Sequence, residues 1–449
     1  MISIGGVIGA GLFIGSGAVI HSAGPGALVS YALAGLLVIF VMRMLGEMAA
    51  ANPTSGSFST FASEAIGPWA GYTIGWLYWF FWVIVIAIEA TAGASIIQFW
   101  LPGIPLWLLS LSLTILLTLT NIKSVKSFAE FEYWFSMVKV ISIILFLTIG
   151  AATLFGFIPW VETPGLSHLI EIGGFMPNGI GSVLLGITVV IFSFMGTEII
   201  AVAAGESAEP SKAVRVATNS VIWRILVFYI GSIFIVVTIL PWNSAELLKS
   251  PFVAVLEHVG IPSGAQIMNV IVLTAVLSCL NSGLYTNSRM LYGMAQKGDA
   301  PKAFQKLNKN GVPVRAILFG TFFAYIGVVF NYLSPDKVFL FLINASGGIA
   351  LLVYLVIAFS HLRMRKKLEK KNRGLLEVKM WLFPYLTYLT IAGIGTILVS
   401  MFFIDSMRTQ ISLTLFIAVL IVSSYFLFHK RRSPLDEDSF DSKRKSNIS

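Results

Sequence analysis

The chain is 449 residues long, 57% apolar and only 11% charged, with a formal net charge of +9. That charged share is under half the average for soluble domains, which excludes an ordinary soluble enzyme, and disorder, collagen and coiled coil need polar, periodic or charged composition instead. An all-α polytopic membrane protein remains, since a spanning helix takes roughly 20 mostly apolar residues.

Apolar windows taken in chain order predict twelve spans, at 2–22, 27–45, 70–97, 105–121, 131–156, 181–203, 219–240, 266–294, 314–332, 338–360, 381–404 and 410–428. An even count puts both termini on one side. With the first span running from inside to outside, the inner loops and adjoining span ends hold 26 of the 30 Lys and Arg residues. The outer side receives only Lys249, Lys337 and Arg408, and Lys139 lies within a span. The positive-inside rule therefore places both termini in the cytoplasm of a multi-pass cell-membrane protein. The basic balance follows from the same bias, so it is read as topology and no nucleic-acid partner is expected. Met1 enters the first span at once, without a basic lead-in or a convincing small-residue cleavage site, so no cleavable signal peptide is expected. The missing polar lead-in leaves a truncated start open. Residues 1–430 read as one membrane domain and 431–449 as a polar, disordered cytoplasmic tail. Cys279 is the only cysteine, and His21, His168, His258, His361 and His429 sit singly, without metal-ligand spacing. No metal and no cofactor is expected.

Two spans break the rules for lipid-facing helices. The first carries six glycines between Gly5 and Gly17, which weakens a helix. Gly5 with Gly9, or Gly11 with Gly15, could serve as small-residue packing seams. The sixth carries its own interruption, Phe192-Ser193-Phe194-Met195-Gly196-Thr197-Glu198. Interruptions opening each of two five-helix halves are how one class of inverted-repeat secondary transporter builds its binding site. Unwound backbone at that depth must be buried in protein or line a cavity. Free N–H groups at a half-helix start favour a carboxylate, and nearby exposed carbonyls favour an ammonium. One site would thus hold both ends of an amino acid.

Three ionisable residues stand out inside spans: Glu89, Lys139 and Glu198. Each costs roughly 3 kcal/mol or more at the bilayer centre unless paired or wetted, so each is a functional candidate. A buried lysine can load and release a proton. The alternative is a static bridge, with Glu89 or Glu198 pairing Lys139 or meeting backbone amides. The eighth span presents Thr274, Ser278, Asn281, Tyr285, Ser288 and Tyr292 on one helical face. That stripe either lines a pathway or hydrogen-bonds neighbouring helices. The aromatic run from Trp76 to Trp82 is assigned to packing and the interfacial belt.

Several of these segments resemble the amino acid permeases of the amino acid, polyamine and organocation superfamily. The resemblance rests on Gly9-Ala10-Gly11, the 192–198 break, the Gly205-Glu206 to Pro210 segment and the run from Glu132 to Lys139. It spans essentially the whole chain. Stretches 74–83, 278–292 and 350–358 look like the bacterial 4-aminobutyrate permeases within that superfamily. The resemblance implies ten core helices in two inverted five-helix repeats, with helices 1 and 6 broken, plus two peripheral helices. It also implies that amides near Ala10 and Gly11, flanked by Gly9, take the substrate carboxylate. Carbonyls near Val7, Phe192 and Met195 would take the amino group, with Ser193 and Gly196 at the same break and Phe192 as the occluding aromatic. Lys139 falls where proton-coupled members place a lysine, in the region that holds sodium in sodium-driven relatives. Glu198 would help couple transport or orient the broken sixth helix, and the expected proton-coupling set is Lys139, Glu198 and Glu89.

The expected function is therefore import of 4-aminobutyrate or a similar small zwitterion by proton symport, with Ser278, Asn281 and Tyr285 lining the pathway. A permease for α-amino acids such as proline or a cationic amino acid is the nearest alternative. A non-transporting sensor of the same fold is another. An intramembrane enzyme is the weakest, because neither a nucleophile–base pair nor a metal cluster appears at the needed spacing.

Overall fold

Helix boundaries in the computed structural model follow proline and glycine. It describes residues 7–52, 58–123, 125–163, 165–198, 210–248, 250–333, 335–371, 374 and 376–429. A π-helical turn at Gly11–Gly15 leads into α1 (Ser16–Ala23), and the turn Gly24–Gly26, with Pro25 at its centre, redirects the chain into α2 (Ala27–Ala51). A short helix α3 (Phe58–Ala65) precedes α4 (Pro68–Ile97), which opens on a proline right after Gly67. Proline suits that first position because its missing N–H has no helical partner there. Next come α5 (Leu106–Lys123), α6 (Val125–Leu154), α7 (Gly179–Phe194) and α8 (Pro210–Arg224). A second π-helical turn, Ile225–Ile230, joins α8 to α9 (Gly231–Ile239). The chain finishes with α10 (Pro251–His258), α11 (Gly264–Gln296), α12 (Val314–Leu333), α13 (Pro335–Lys371), α14 (Tyr385–Phe403) and α15 (Asp405–Ser424). No strand occurs among the described residues.

Nine helical runs among the described residues are long and apolar enough to cross a membrane. The first two windows fall within one 41-residue run, Gly11–Ala51, because only the three-residue turn Gly24–Gly26 separates α1 from α2. Of the two remaining apolar helices, Gly179–Phe194 is shorter than a full span, and α12 carries the apolar stretch Val314–Val329 within its 20 residues. The first of these is short because the chain breaks after Phe194: Met195 turns extended and Gly196 takes φ +100°. Residues 1–6, which include Gly5 and Gly6, residues 205–209 and the expected tail 431–449 lie outside the described residues.

α4 forms the centre. It packs against α5, α11, α12 and α13, and 83% of its most apolar window is buried, against 28% for α14 and 17% for the run Asp405–Leu427. The last two helices therefore stand at the periphery. α7 packs between α1, α2 and α13, which brings the break after Phe194 beside the start of the first helix. Buried hydroxyls along these helices bond back to the preceding turn, as in Thr91 to the Ala87 carbonyl and Thr118 to the Thr114 carbonyl. Hydroxyls bonded in this way need no further partner in an apolar surrounding.

Close backbone approaches hold the bundle. A Cβ on Gly347 of α13 would stand 2.2 Å from the Thr188 carbonyl oxygen of α7, and one on Gly17 would overlap the Leu247 carbonyl. Gly347→Ala should therefore lower the melting temperature in detergent, since forcing α7 and α13 apart costs about 1–3 kcal/mol. Gly395→Ala on α14 meets open space. It should leave the melting temperature unchanged or raise it, and equal behaviour of the two variants would refute the close approach.

Candidate functional site

The two interrupted segments meet. Val7, Ile8 and Gly9 are non-helical, and the helix begins at Ala10. A Cβ on Gly11 would lie 2.5 Å from Ser193 Oγ and 2.9 Å from Ser193 Cα, so the start of the first helix rests directly on the end of α7. Gly9, Ala10, Gly11, Phe192, Ser193, Met195 and Gly196 are all buried, and Val7 lies beside them, also buried. The structure sets the start of the first helix against the end of α7, with Gly11 on Ser193.

The Ala10 amide is engaged by the chain itself. Its N–H donates to both carboxylate oxygens of Glu89, at 3.1 Å each. α4 delivers Glu89 to this point, and Gly9 makes the approach feasible. A Cβ on Gly9 would sit 2.5 Å from Glu89 Oε1 and 2.8 Å from the Cys279 Cβ. A carboxylate at a helix start meets unpaired N–H groups and the positive end of the helix dipole. Glu89 thus stands where a substrate carboxylate is expected to bind.

Lys139 of α6 is fully buried next to this group. It interacts electrostatically with Glu132, Glu89 and Cys279. Glu132, two helical turns before Lys139 on the same face, is also fully buried and accepts a 2.8 Å hydrogen bond from the Ser278 hydroxyl. Sequence reasoning named Glu132 only as the start of a motif run and not among the ionisable candidates, although the i, i+7 spacing to Lys139 inside the window 131–156 could have revealed it. α4 with Glu89, α6 with Glu132 and Lys139, and the start of the first helix with its Ala10 amide therefore converge with α11.

The polar stripe of α11 divides. Ser278 bonds Glu132 of α6, and Asn281 accepts a 2.7 Å hydrogen bond from the Asn121 amide of α5. Tyr285, half-buried, lies under the Arg289 guanidinium at 5.2 Å from its ring centre. The first two tie helices together at the level of Lys139, and Tyr285 stands beyond them.

Glu198 serves the second break. Its carboxylate accepts from the Gly196 amide at 2.9 and 3.0 Å, from the Tyr78 hydroxyl at 2.6 Å and from the Tyr354 hydroxyl at 3.4 Å. Tyr78 comes from α4 and Tyr354 from α13. The Thr197 hydroxyl closes the turn onto the Phe194 carbonyl. Phe192 packs with its ring centre 6.3 Å from that of Phe81.

A second ionic cluster lies away from the breaks, at the Ala51 end of α2. Glu47 is 2.7 Å from an Arg365 Nη and 3.4 Å from His361 Nε2, both on α13, and also accepts the Met380 N–H. Arg365 in turn reaches Glu369 at 2.9 Å and lies over the Phe383 ring at 5.0 Å. His361, which looks isolated in the sequence, is thus part of a group. The local signal was its i, i+4 spacing to Arg365; the partner Glu47 lies more than 300 positions away.

Comparison with known proteins gives a consistent result. The sequence model of the family described as amino acid permease matches residues 1–437. The chain is 70% identical over 432 residues to the gamma-aminobutyric acid permease of Bacillus subtilis (strain 168), covering 96% of this chain and 92% of that protein. It is 51% identical over 423 residues to the gamma-aminobutyric acid permease of Escherichia coli (strain K12), with 94% and 91% covered. The probable GABA permease of Pseudomonas aeruginosa is 49% identical over 440 residues, with 98% and 92% covered.

Removing one member of a buried ion pair strands the other charge, at a cost of about 3–5 kcal/mol. Arg365→Ala should accordingly destabilise the protein strongly in a detergent melt. Arg408→Ala, which removes an exposed pair with Asp405 at 2.9 Å, should change little. Comparable losses would show that the Glu47 cluster carries no special weight.

Proposed function

The chain belongs to the amino acid permease family, and from that premise we propose that it imports 4-aminobutyrate, or a similar small zwitterionic amino acid, by proton symport. The family consists of transporters rather than enzymes, and the apolar helices make this one a multi-pass membrane protein. The observation that carries the substrate is the 70% identity, over nearly the whole chain, to a relative named for gamma-aminobutyric acid.

The architecture we propose has twelve spans, ten of them in two inverted five-helix repeats, with α14 and α15 outside. Dividing Gly11–Ala51 at its central turn and adding the two shorter apolar helices brings nine runs to twelve. The bias of 26 inner cations against three outer ones supports cytoplasmic termini in the cell membrane. Residues 1–430 form the transport domain, followed by the tail 431–449.

In this reading the substrate carboxylate binds the amides near Ala10 and Gly11, beside Gly9. The amino group binds the carbonyls near Val7, Phe192 and Met195, with Ser193 and Gly196 shaping the break and Phe192 closing over the ligand. Glu89 holds the Ala10 amide, so an arriving carboxylate must displace it. Each substrate then brings a negative charge to the place Glu89 held, and one proton carried with it restores the balance among Glu89, Lys139 and Glu132. Glu198 keeps the sixth helix in shape, and Ser278, Asn281 and Tyr285 line the route along α11. A loaded complex with one net positive charge gains about 2.3 kcal/mol per 100 mV, or roughly fifty-fold accumulation.

Labelled 4-aminobutyrate should accumulate in proteoliposomes under an inward proton gradient, collapse with a protonophore and resist excess proline or lysine. Loss to one competitor would move the assignment to an α-amino acid permease, and binding without accumulation to a sensor. Lys139→Ala should abolish gradient-driven uptake while retaining binding; undiminished accumulation in that variant would refute the coupling role.

A further inference from the structure

One hydroxyl bridges both broken helices. Tyr229, in the π-helical turn Ile225–Ile230, points its Oη at the Ser193 carbonyl at 2.9 Å and at the Val7 carbonyl at 3.4 Å. These two carbonyls belong to the end of α7 and to the non-helical start of the first helix. Tyr229 is 1% exposed, and its ring is fixed by Phe194, whose centre lies 4.6 Å away, and by Tyr31 at 6.4 Å. π-helical turns widen a helix by one residue and recur at functional sites. Here the turn sets an aromatic side chain of one helix across the interruptions of two others.

A phenol has one proton to give and lone pairs to receive with. It can satisfy one of the two carbonyls at a time, and the shorter distance assigns that proton to Ser193. The Val7 carbonyl is then left with acceptor capacity in a buried place, where an unmet polar group is costly. An ammonium group supplies the missing donors. It can bond the Val7 carbonyl and the back of the Tyr229 oxygen together. We propose that Tyr229 is a positioning residue for the substrate's amino group: by committing its proton to the Ser193 carbonyl it keeps the Val7 carbonyl open and aimed at the ligand. This inference rests on the site reading above, and it adds a side chain to a subsite otherwise made of backbone.

The test is Tyr229→Phe, which removes only the hydroxyl and keeps the ring packing. Binding is read by ligand-induced shift of the melting temperature and by uptake kinetics, with 4-aminobutyrate, proline, lysine and the amine-free analogue butyrate as probes. The dissociation constant for 4-aminobutyrate should rise about tenfold, with KM rising and kcat nearly unchanged. Butyrate should bind the variant and the parent equally weakly, because it has no amino group to place. Equal weakening of both ligands would assign Tyr229 a purely structural role and overturn the proposal, as would unchanged affinity for 4-aminobutyrate. If the parent responds to proline or lysine and not to 4-aminobutyrate, the substrate reading fails. The same comparison, made with the amino acid that binds, then decides on Tyr229: selective weakening supports the proposal and unchanged affinity overturns it. A parent that responds to none of the amines overturns both.

Discussion

Backbone polar groups inside a bilayer have no water to turn to, and the rest of this structure is arranged around that constraint. Where the helices run unbroken, the intrahelical ladder meets the demand. Where the first helix starts and α7 ends, side chains meet it instead. Glu89 serves the Ala10 amide, Glu198 serves the Gly196 amide, and Tyr229 serves the Ser193 carbonyl. Glu89 and Tyr229 reach across from other helices, and Glu198 is steadied by Tyr78 and Tyr354 from two more. The central position of α4, which brings both Glu89 and Tyr78 to the breaks, fits that arrangement.

The glycines belong to the same logic. Gly9 admits the Glu89 carboxylate, and Gly11 lets the first helix lie on Ser193. Neither is a lipid-facing seam. Small-residue packing and an opened helix were competing readings of one glycine run; the contacts combine them, since the close packing is what carries the break against its neighbour.

What could be read from the sequence was whatever broke a rule of the medium. Glu89, Lys139 and Glu198 stood out because charge is costly among apolar residues, and the interruption at 192–198 stood out because glycine and glutamate sit badly in a span. The helical content followed from hydropathy alone. The single run Gly11–Ala51 did not, because the join between α1 and α2 is a three-residue turn, too tight for hydropathy to register. Tyr229 gave no signal, since a tyrosine in an apolar span violates nothing. Glu47, His361 and Arg365 could not be joined by inspection: the first two are separated by most of the chain, and only the packing of α2 on α13 brings them within 3.4 Å.

The two carboxylates at the breaks differ in a way that bears on mechanism. Glu198 is bound by its own backbone and by two tyrosines from different helices, so moving it would release three donors at once. Glu89 reaches its amide from another helix, and its surroundings are Cys279 and Lys139 rather than a cage of hydroxyls. A group held by one shared N–H and a thiol, with the Lys139 amine nearby, can exchange places with a ligand of the same chemistry. On the proposed mechanism this separates the tasks. The captive carboxylate preserves the shape of the sixth helix, while the exchangeable one gives up its amide to the substrate and lets a single proton follow the charge.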